Sequence, residues 1–183
     1  MDIINLELID YVNTCNIENI KILIEKGADI NCINGLPLRN AIIKGDFSIV
    51  SFLVENGAYI NAYDDAPIQL AAEGGNYDIM KYLIEKDANI NAGDGKPLIY
   101  AAFHGYLDLV ISLLDKGVDI NVHNGGPLQM AVSAGHFEII KFLIDNGADI
   151  NIDNNGPLKW ALYYKRESIT NYLLEKGSIC IAI

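Results

Sequence analysis

The residue types that could do acid–base, metal or nucleophilic chemistry are present but scattered. Three histidines (His104, His123, His136) and three cysteines (Cys15, Cys32, Cys180) are spread along 183 residues. Zinc sites draw Cys and His from closely spaced pairs, and no histidine here meets a cysteine at such a spacing. Three widely separated cysteines give no disulfide framework and fit reduced thiols in a cytosolic compartment. Carboxylates are plentiful, yet they recur at one fixed interval, as helix-start and loop residues do, rather than as a single acid–base pair. Gly93-Asp94-Gly95-Lys96 shares letters with a phosphate-binding loop but lacks the preceding strand and the Gly-x-x-x-x-Gly-Lys-Ser/Thr frame. It reads as a turn. The sequence therefore predicts no catalytic, cofactor-binding or metal site, and a protein that is not an enzyme.

Bulk properties narrow the remaining classes. The net charge of −11 opposes binding to a phosphate backbone, which selects clustered Lys and Arg. No apolar run approaches the roughly 18 residues a bilayer span needs, so neither nucleic acid nor membrane is an expected partner. Met-Asp-Ile-Ile-Asn-Leu-Glu has acids where a signal peptide would be basic and then apolar. At 51% apolar the chain can bury a core. An acidic, cytoplasmic protein is expected.

The elements that must position any site show themselves as a repeat. All five prolines fall thirty residues apart, at Pro37, Pro67, Pro97, Pro127 and Pro157. Leu or Ile follows each directly, and Ala comes four residues later, at Ala41, Ala71, Ala101, Ala131 and Ala161. Glycine recurs eight after proline until Lys165 breaks the series, and a second glycine column runs from Gly27 to Gly177, interrupted by Asp87. Asparagine recurs at Asn31, Asn61, Asn91, Asn121 and Asn151. Six units follow, about 1–36, 37–66, 67–96, 97–126, 127–156 and 157–183, read as one domain over 1–183.

Each unit predicts a pair of helices. Proline suits a first helical position, where its missing N–H would be unpaired anyway. The Leu and Ala after it share a face, and the small Ala allows close approach. Glycine then ends this helix in a left-handed conformation. In the second helix Ile49, Val50, Leu53 and Val54 form one apolar stripe. Asp87 must adopt the left-handed conformation in place of glycine, at about 1 kcal/mol. Each column asparagine is expected to satisfy turn backbone between adjacent units.

Pro-Leu-x-x-Ala-x-x-x-Gly followed by Leu-x-x-x-Gly-Ala-Asp-Ile-Asn resembles the ankyrin repeat over essentially the whole chain. The resemblance implies an all-α solenoid of six stacked helix-turn-helix units. Two departures matter. The period is 30 rather than the usual 33, with three residues missing between Asn and Pro, so the hairpin loops should be shortened and binding should shift to the helices. The usual Thr-Pro-Leu-His is also absent: Leu36, Ala66, Lys96, Gly126 and Gly156 stand for Thr, and Arg39, Gln69, Ile99, Gln129 and Lys159 for His. A lost Thr cap costs roughly 0.5–2 kcal/mol, less where Gly replaces it. His136 takes the Gly-His position common in such repeats, which implies a structural role. Thirty-residue units rich in Ile and Asn, together 48 of 183 residues, look like the ankyrin families of giant DNA viruses of the mimivirus kind.

By that resemblance the recognition surface is the inner, concave groove. Offsets six and seven after proline fall there: Ile43-Lys44, Glu73-Gly74, Phe103-His104, Ser133-Ala134 and Tyr163-Tyr164. Tyr100 and Trp160 flank them at the consensus Leu position, where a core role competes with an interface one. Aromatic side chains around small residues suit an interface hot spot, so Phe103, His104, Tyr163, Tyr164, Tyr100 and Trp160 are the candidate partner-binding residues. The implied function is protein binding, to a host or viral protein. The alternatives are a substrate-recruiting adaptor of a ubiquitin ligase, or a self-assembling element using the apolar Ile179, Ile181 and Ile183. The expected state is a monomer, or a homodimer through that end, with the tail folded back over the last helix pair as the favoured arrangement.

Overall fold

The computed structural model describes residues 2–178, and the tail with Ile179, Cys180, Ile181 and Ile183 lies outside the described residues. Within them the chain forms helices and turns with no strand. The helices are α1 (Ile3–Asn13), α2 (Ile17–Glu25), α3 (Cys32–Lys44), α4 (Phe47–Glu55), α5 (Ala62–Glu73), α6 (Tyr77–Glu85), α7 (Ala92–His104), α8 (Leu107–Asp115), α9 (Val122–Ala134), α10 (Phe137–Asp145), α11 (Ile152–Tyr163) and α12 (Glu167–Glu175). They are six helix pairs, in two compact units, residues 1–93 and 94–183.

In the first unit the post-proline columns are the core. Leu38 and Ala41 on α3, and Ile68 and Ala71 on α5, are fully buried. They pack with Leu8 and Val12 of α1 and with the stripe Ile49, Val50 and Leu53 of α4, equally buried. In the second unit Leu98 and Ala101, Leu128 and Ala131, and Leu158 and Ala161 repeat the arrangement against Val110, Leu113, Ile140, Leu143 and Leu173. Each fully buried Leu or Ile contributes on the order of 1.5–3 kcal/mol. The Ala column is fully buried, and a methyl at those positions takes little room where first helices pack together.

The shortened loop is not a hairpin but a single left-handed turn. Ile33, Asn34 and Gly35 all have positive φ (51°, 55° and 74°) before the chain turns right-handed toward Pro37. Tyr63-Asp64-Asp65, His123-Asn124-Gly125 and Asp153-Asn154-Asn155 do the same. The three-residue deletion from the longer period leaves room for this turn and no strand. It closes on itself, with the Gly35 N–H donating to the Asn31 carbonyl at 3.0 Å and the Gly125 N–H to that of Asn121 at 2.9 Å. Asn, Asp and Gly are the residues that visit this conformation most cheaply, which explains their density here.

Three of the five residues standing where His is usual hold the turn down. Arg39 donates to the Ile33 carbonyl at 3.1 Å, Gln69 to that of Asp64 at 2.6 Å and Gln129 to that of Asn124 at 2.8 Å. The glycines at the Thr position also have a packing reason. A β-carbon on Gly126 would sit 3.1 Å from Ile99, and one on Gly156 would sit 3.2 Å from Gln129.

The asparagine column bridges neighbouring turns. The Asn31 side chain accepts from the Tyr59 N–H at 2.8 Å and donates to the Gly57 carbonyl at 3.0 Å. Asn61 accepts from the Asn89 N–H, and Asn121 from the Asp149 N–H. The first pair has no column asparagine ahead of it, and Asn5 of α1 supplies the same acceptor to the Asp29 N–H at 2.8 Å. Asp87 (φ 63°), Lys165 (φ 55°) and Cys15 (φ 54°) take the left-handed geometry of the glycines they replace.

Candidate binding surface

The candidate residues sit at the C-terminal ends of α7 and α11, both in the second unit. A column just ahead of the second helices ties down first-helix ends, here those of α7 and α9. His136 donates from Nε2 to the Phe103 carbonyl at 2.9 Å. Arg166 donates from one guanidinium nitrogen to the carbonyls of Ser133 and Ala134, each at 3.0 Å. In the first unit Asn76 makes the corresponding reach to the Ile42 carbonyl at 3.3 Å. A helix C-terminus leaves carbonyls without intrahelical partners, and a long polar side chain from the next pair satisfies them. The structural role of His136 is thereby accounted for. Ser133 and Ala134 border no vacant recess at this point, because the Arg166 guanidinium lies over Gly135, which has no β-carbon to obstruct it.

Two aromatic clusters result. On α7, Phe103 is 40% exposed and meets Tyr100 edge-on, ring centroids 6.5 Å apart. His104 is half-buried and stacks between Tyr100 and Tyr106, at 6.2 and 5.7 Å. On α11, Tyr163 is 75% and Tyr164 44% exposed. Trp160 stacks on Tyr164 at 5.6 Å and meets Tyr163 edge-on at 6.2 Å. These offset and edge-to-face geometries are those that aromatic quadrupoles favour.

Tyr100 and Trp160 are half-buried, supporting the rings beside them. The Trp160 indole N–H donates to Gln129 Oε1 at 2.9 Å, so the glutamine that holds the α9 turn also orients the α11 cluster. A recess of about 380 Å³ opens beside Trp160, lined by Asp153, Asn154, Gly156, Lys159 and Tyr163. Sequence reasoning places Gln129 beside this surface but does not single out Tyr106 or Arg166. Tyr106 and Arg166 lie in the column of Asn76 and His136, whose thirty-residue spacing was available in the sequence as a signal.

The remaining candidates for chemistry stay dispersed. His123 donates from Nδ1 to the Asp94 carboxylate at 3.2 Å, both side chains well exposed. Cys15 is exposed and Cys32 buried. Burial, and secondarily the negative charge of Asp29, push the Cys32 thiol above its ordinary range, the opposite of nucleophile activation. Among the described residues no group of three or more His, Cys, Asp or Glu is placed to hold a metal, and no helix is long and apolar enough to cross a membrane.

Comparison with known proteins matches two family descriptions. Ankyrin repeats (3 copies) fit residues 63–124 and 98–182, and ankyrin repeats (many copies) fit 8–54 and 38–84. No curated protein matches the chain. Among solved structures, the ankyrin repeat domain of human ASB11 superposes with a TM-score of 0.79 at 23% identity, over 96% of this chain and 85% of that one. At that identity the likeness carries the fold.

Proposed function

Because the chain belongs to the ankyrin-repeat family, whose members are generally protein-interaction modules, we propose that it is a non-enzymatic protein-binding module whose binding face comprises the C-terminal ends of α7 and α11. One observation carries the reading. Phe103, Tyr163 and Tyr164 present aromatic surface to solvent while the Phe103 carbonyl is held by His136 and the two tyrosine rings rest against Trp160. A partner that covers them buries the part of each ring still exposed, a fraction of the roughly 150–250 Å² that a fully buried aromatic side chain removes from water. Little ordering entropy is lost, since stacking on Trp160 and Tyr100 already limits the rotamers. Tyr and Trp are the residue types that dominate measured interface energetics.

The partner proposed is a protein met in the cytoplasm. The thirty-residue period and the Ile- and Asn-rich wording, similar to giant-virus ankyrin families, direct the search to a host or viral protein in an infected cell. The test is affinity capture with mass spectrometry, using wild type beside Phe103→Ala/Tyr163→Ala/Tyr164→Ala, after circular dichroism has established that both are folded. A partner enriched by wild type and lost by the variant supports this face. A partner kept by both places binding elsewhere on the molecule.

A further inference from the structure

The charge on this face differs from the charge on the rest of the protein. The chain is −11 overall. Residues 94–183 contain ten carboxylates, and none lies in 96–106, 126–136 or 156–166, the first-helix bodies of the three pairs in that unit. Those same stretches hold Lys96, Lys159, Lys165 and Arg166. Acids are thus confined to the turns and second helices. Arg166 is engaged with backbone carbonyls, whereas Lys159 and Lys165 are exposed and flank Trp160, Tyr163 and Tyr164 in the sequence. Lys159 lines the recess beside Trp160 together with Asp153, and Lys165 lines a second recess together with Glu167.

We infer that the aromatic face takes an acidic segment of a protein partner, one in which Asp or Glu flanks an aromatic or aliphatic anchor. This rests on the binding face proposed above and adds the partner's chemistry. The anchor packs on Trp160, Tyr163 and Tyr164, and the acids meet Lys159 and Lys165. Exposed charges interact over about 8–10 Å at ordinary salt, so a short acidic segment docked here senses Lys159 and Lys165 with Asp153 and Glu167 beside them, and not the chain's full −11. A single-stranded nucleic acid also uses aromatics and cations. It is disfavoured because a polyanion gains affinity from many phosphate contacts at once, and a chain of −11 repels it beyond this one face.

The experiment pans a phage-displayed random dodecapeptide library on the full chain. Lys159→Glu/Lys165→Glu and Phe103→Ala/Tyr163→Ala/Tyr164→Ala are panned in parallel, each first shown to be folded. Wild type is expected to enrich peptides pairing Asp or Glu with an aromatic or aliphatic residue. A labelled representative should lose about 10-fold or more in affinity on charge reversal, and weaken with salt. Neutral or basic enriched peptides would overturn the inference; if the aromatic variant loses those peptides, the binding face itself still stands. Acidic peptides that bind the aromatic variant as well as wild type would sink both readings. So would an absence of enrichment on wild type against the inferred partner class, as would a labelled oligouridylate that binds more tightly than the best peptide.

Discussion

Ile33 is the residue whose side chain and backbone disagree most. It is β-branched, 45% exposed, and held at φ 51°, a conformation that sterics make unfavourable by roughly 1–2 kcal/mol for most side chains. Asn at the same site keeps the closure between Gly35 and Asn31 and tolerates the geometry. Ile33→Asn is therefore expected to stabilise the fold by about 1 kcal/mol, read as a higher urea midpoint at unchanged slope. Gly125 is the opposite case. Its φ is 74° and an added β-carbon would collide with the Ile152 side chain, so Gly125→Ala should destabilise by about 2 kcal/mol or more in the same measurement. Asn34, Gly35, Asn124 and Gly125 announced a turn by residue type, but its handedness was not legible. Three consecutive left-handed residues follow from ring closure onto Asn31 and from the grip of Arg39, Gln69 and Gln129. Those are local contacts, between residues four to six apart, that together override what Ile33 or Tyr63 would choose alone.

At the scale of the element, thirty-residue spacing made the helix pairs and their buried columns readable directly. Leu128 and Ala131 are core because proline fixes the start of the helix and the 3.6-residue period then fixes the face. The aromatic face was readable only through family resemblance, since a tyrosine at offset six looks the same to composition whether it faces solvent or a neighbour. The column that locks first-helix ends was the hardest to see. Asn76, His136 and Arg166 share a task but not a chemistry, so only position connects them. That shared task predicts an asymmetry between substitutions. Arg166→Ala leaves the Ser133 and Ala134 carbonyls without this donor and should cost about 1–2 kcal/mol. Arg166→His, copying the His136 arrangement, should recover most of that. Equal losses for Ala and His in thermal denaturation would show that the guanidinium's bulk, and not the hydrogen bond, holds the end of α9.

At the scale of the molecule, support between repeats is short in sequence. The side-chain bonds that join the helices of one pair to those of the next span from 27 residues, between Asn13 and Asn40, to 34, between Asn76 and Ile42. A chain stabilised in this way behaves as a sum of units and nearest-neighbour terms rather than as one core with long-range ties. Asn121→Ala tests that character, because it removes the acceptor for the Asp149 N–H while leaving every apolar core residue in place. The loss is about 0.5–1.5 kcal/mol, and its distribution matters more than its size. Hydrogen exchange followed by mass spectrometry should show faster exchange in peptides covering 119–125 and 147–155, a smaller rise through α9 and α10, and unchanged protection in α3 and α4. Nearest-neighbour support requires the effect to fade within about one repeat, since a distant pair shares no partner with the missing side chain. A uniform rise from α3 to α12 would mean the chain opens as one cooperative body. In that case the aromatic face on α7 and α11 would depend on every pair in the chain, and not mainly on its immediate neighbours, such as the pair that reaches Phe103 through His136.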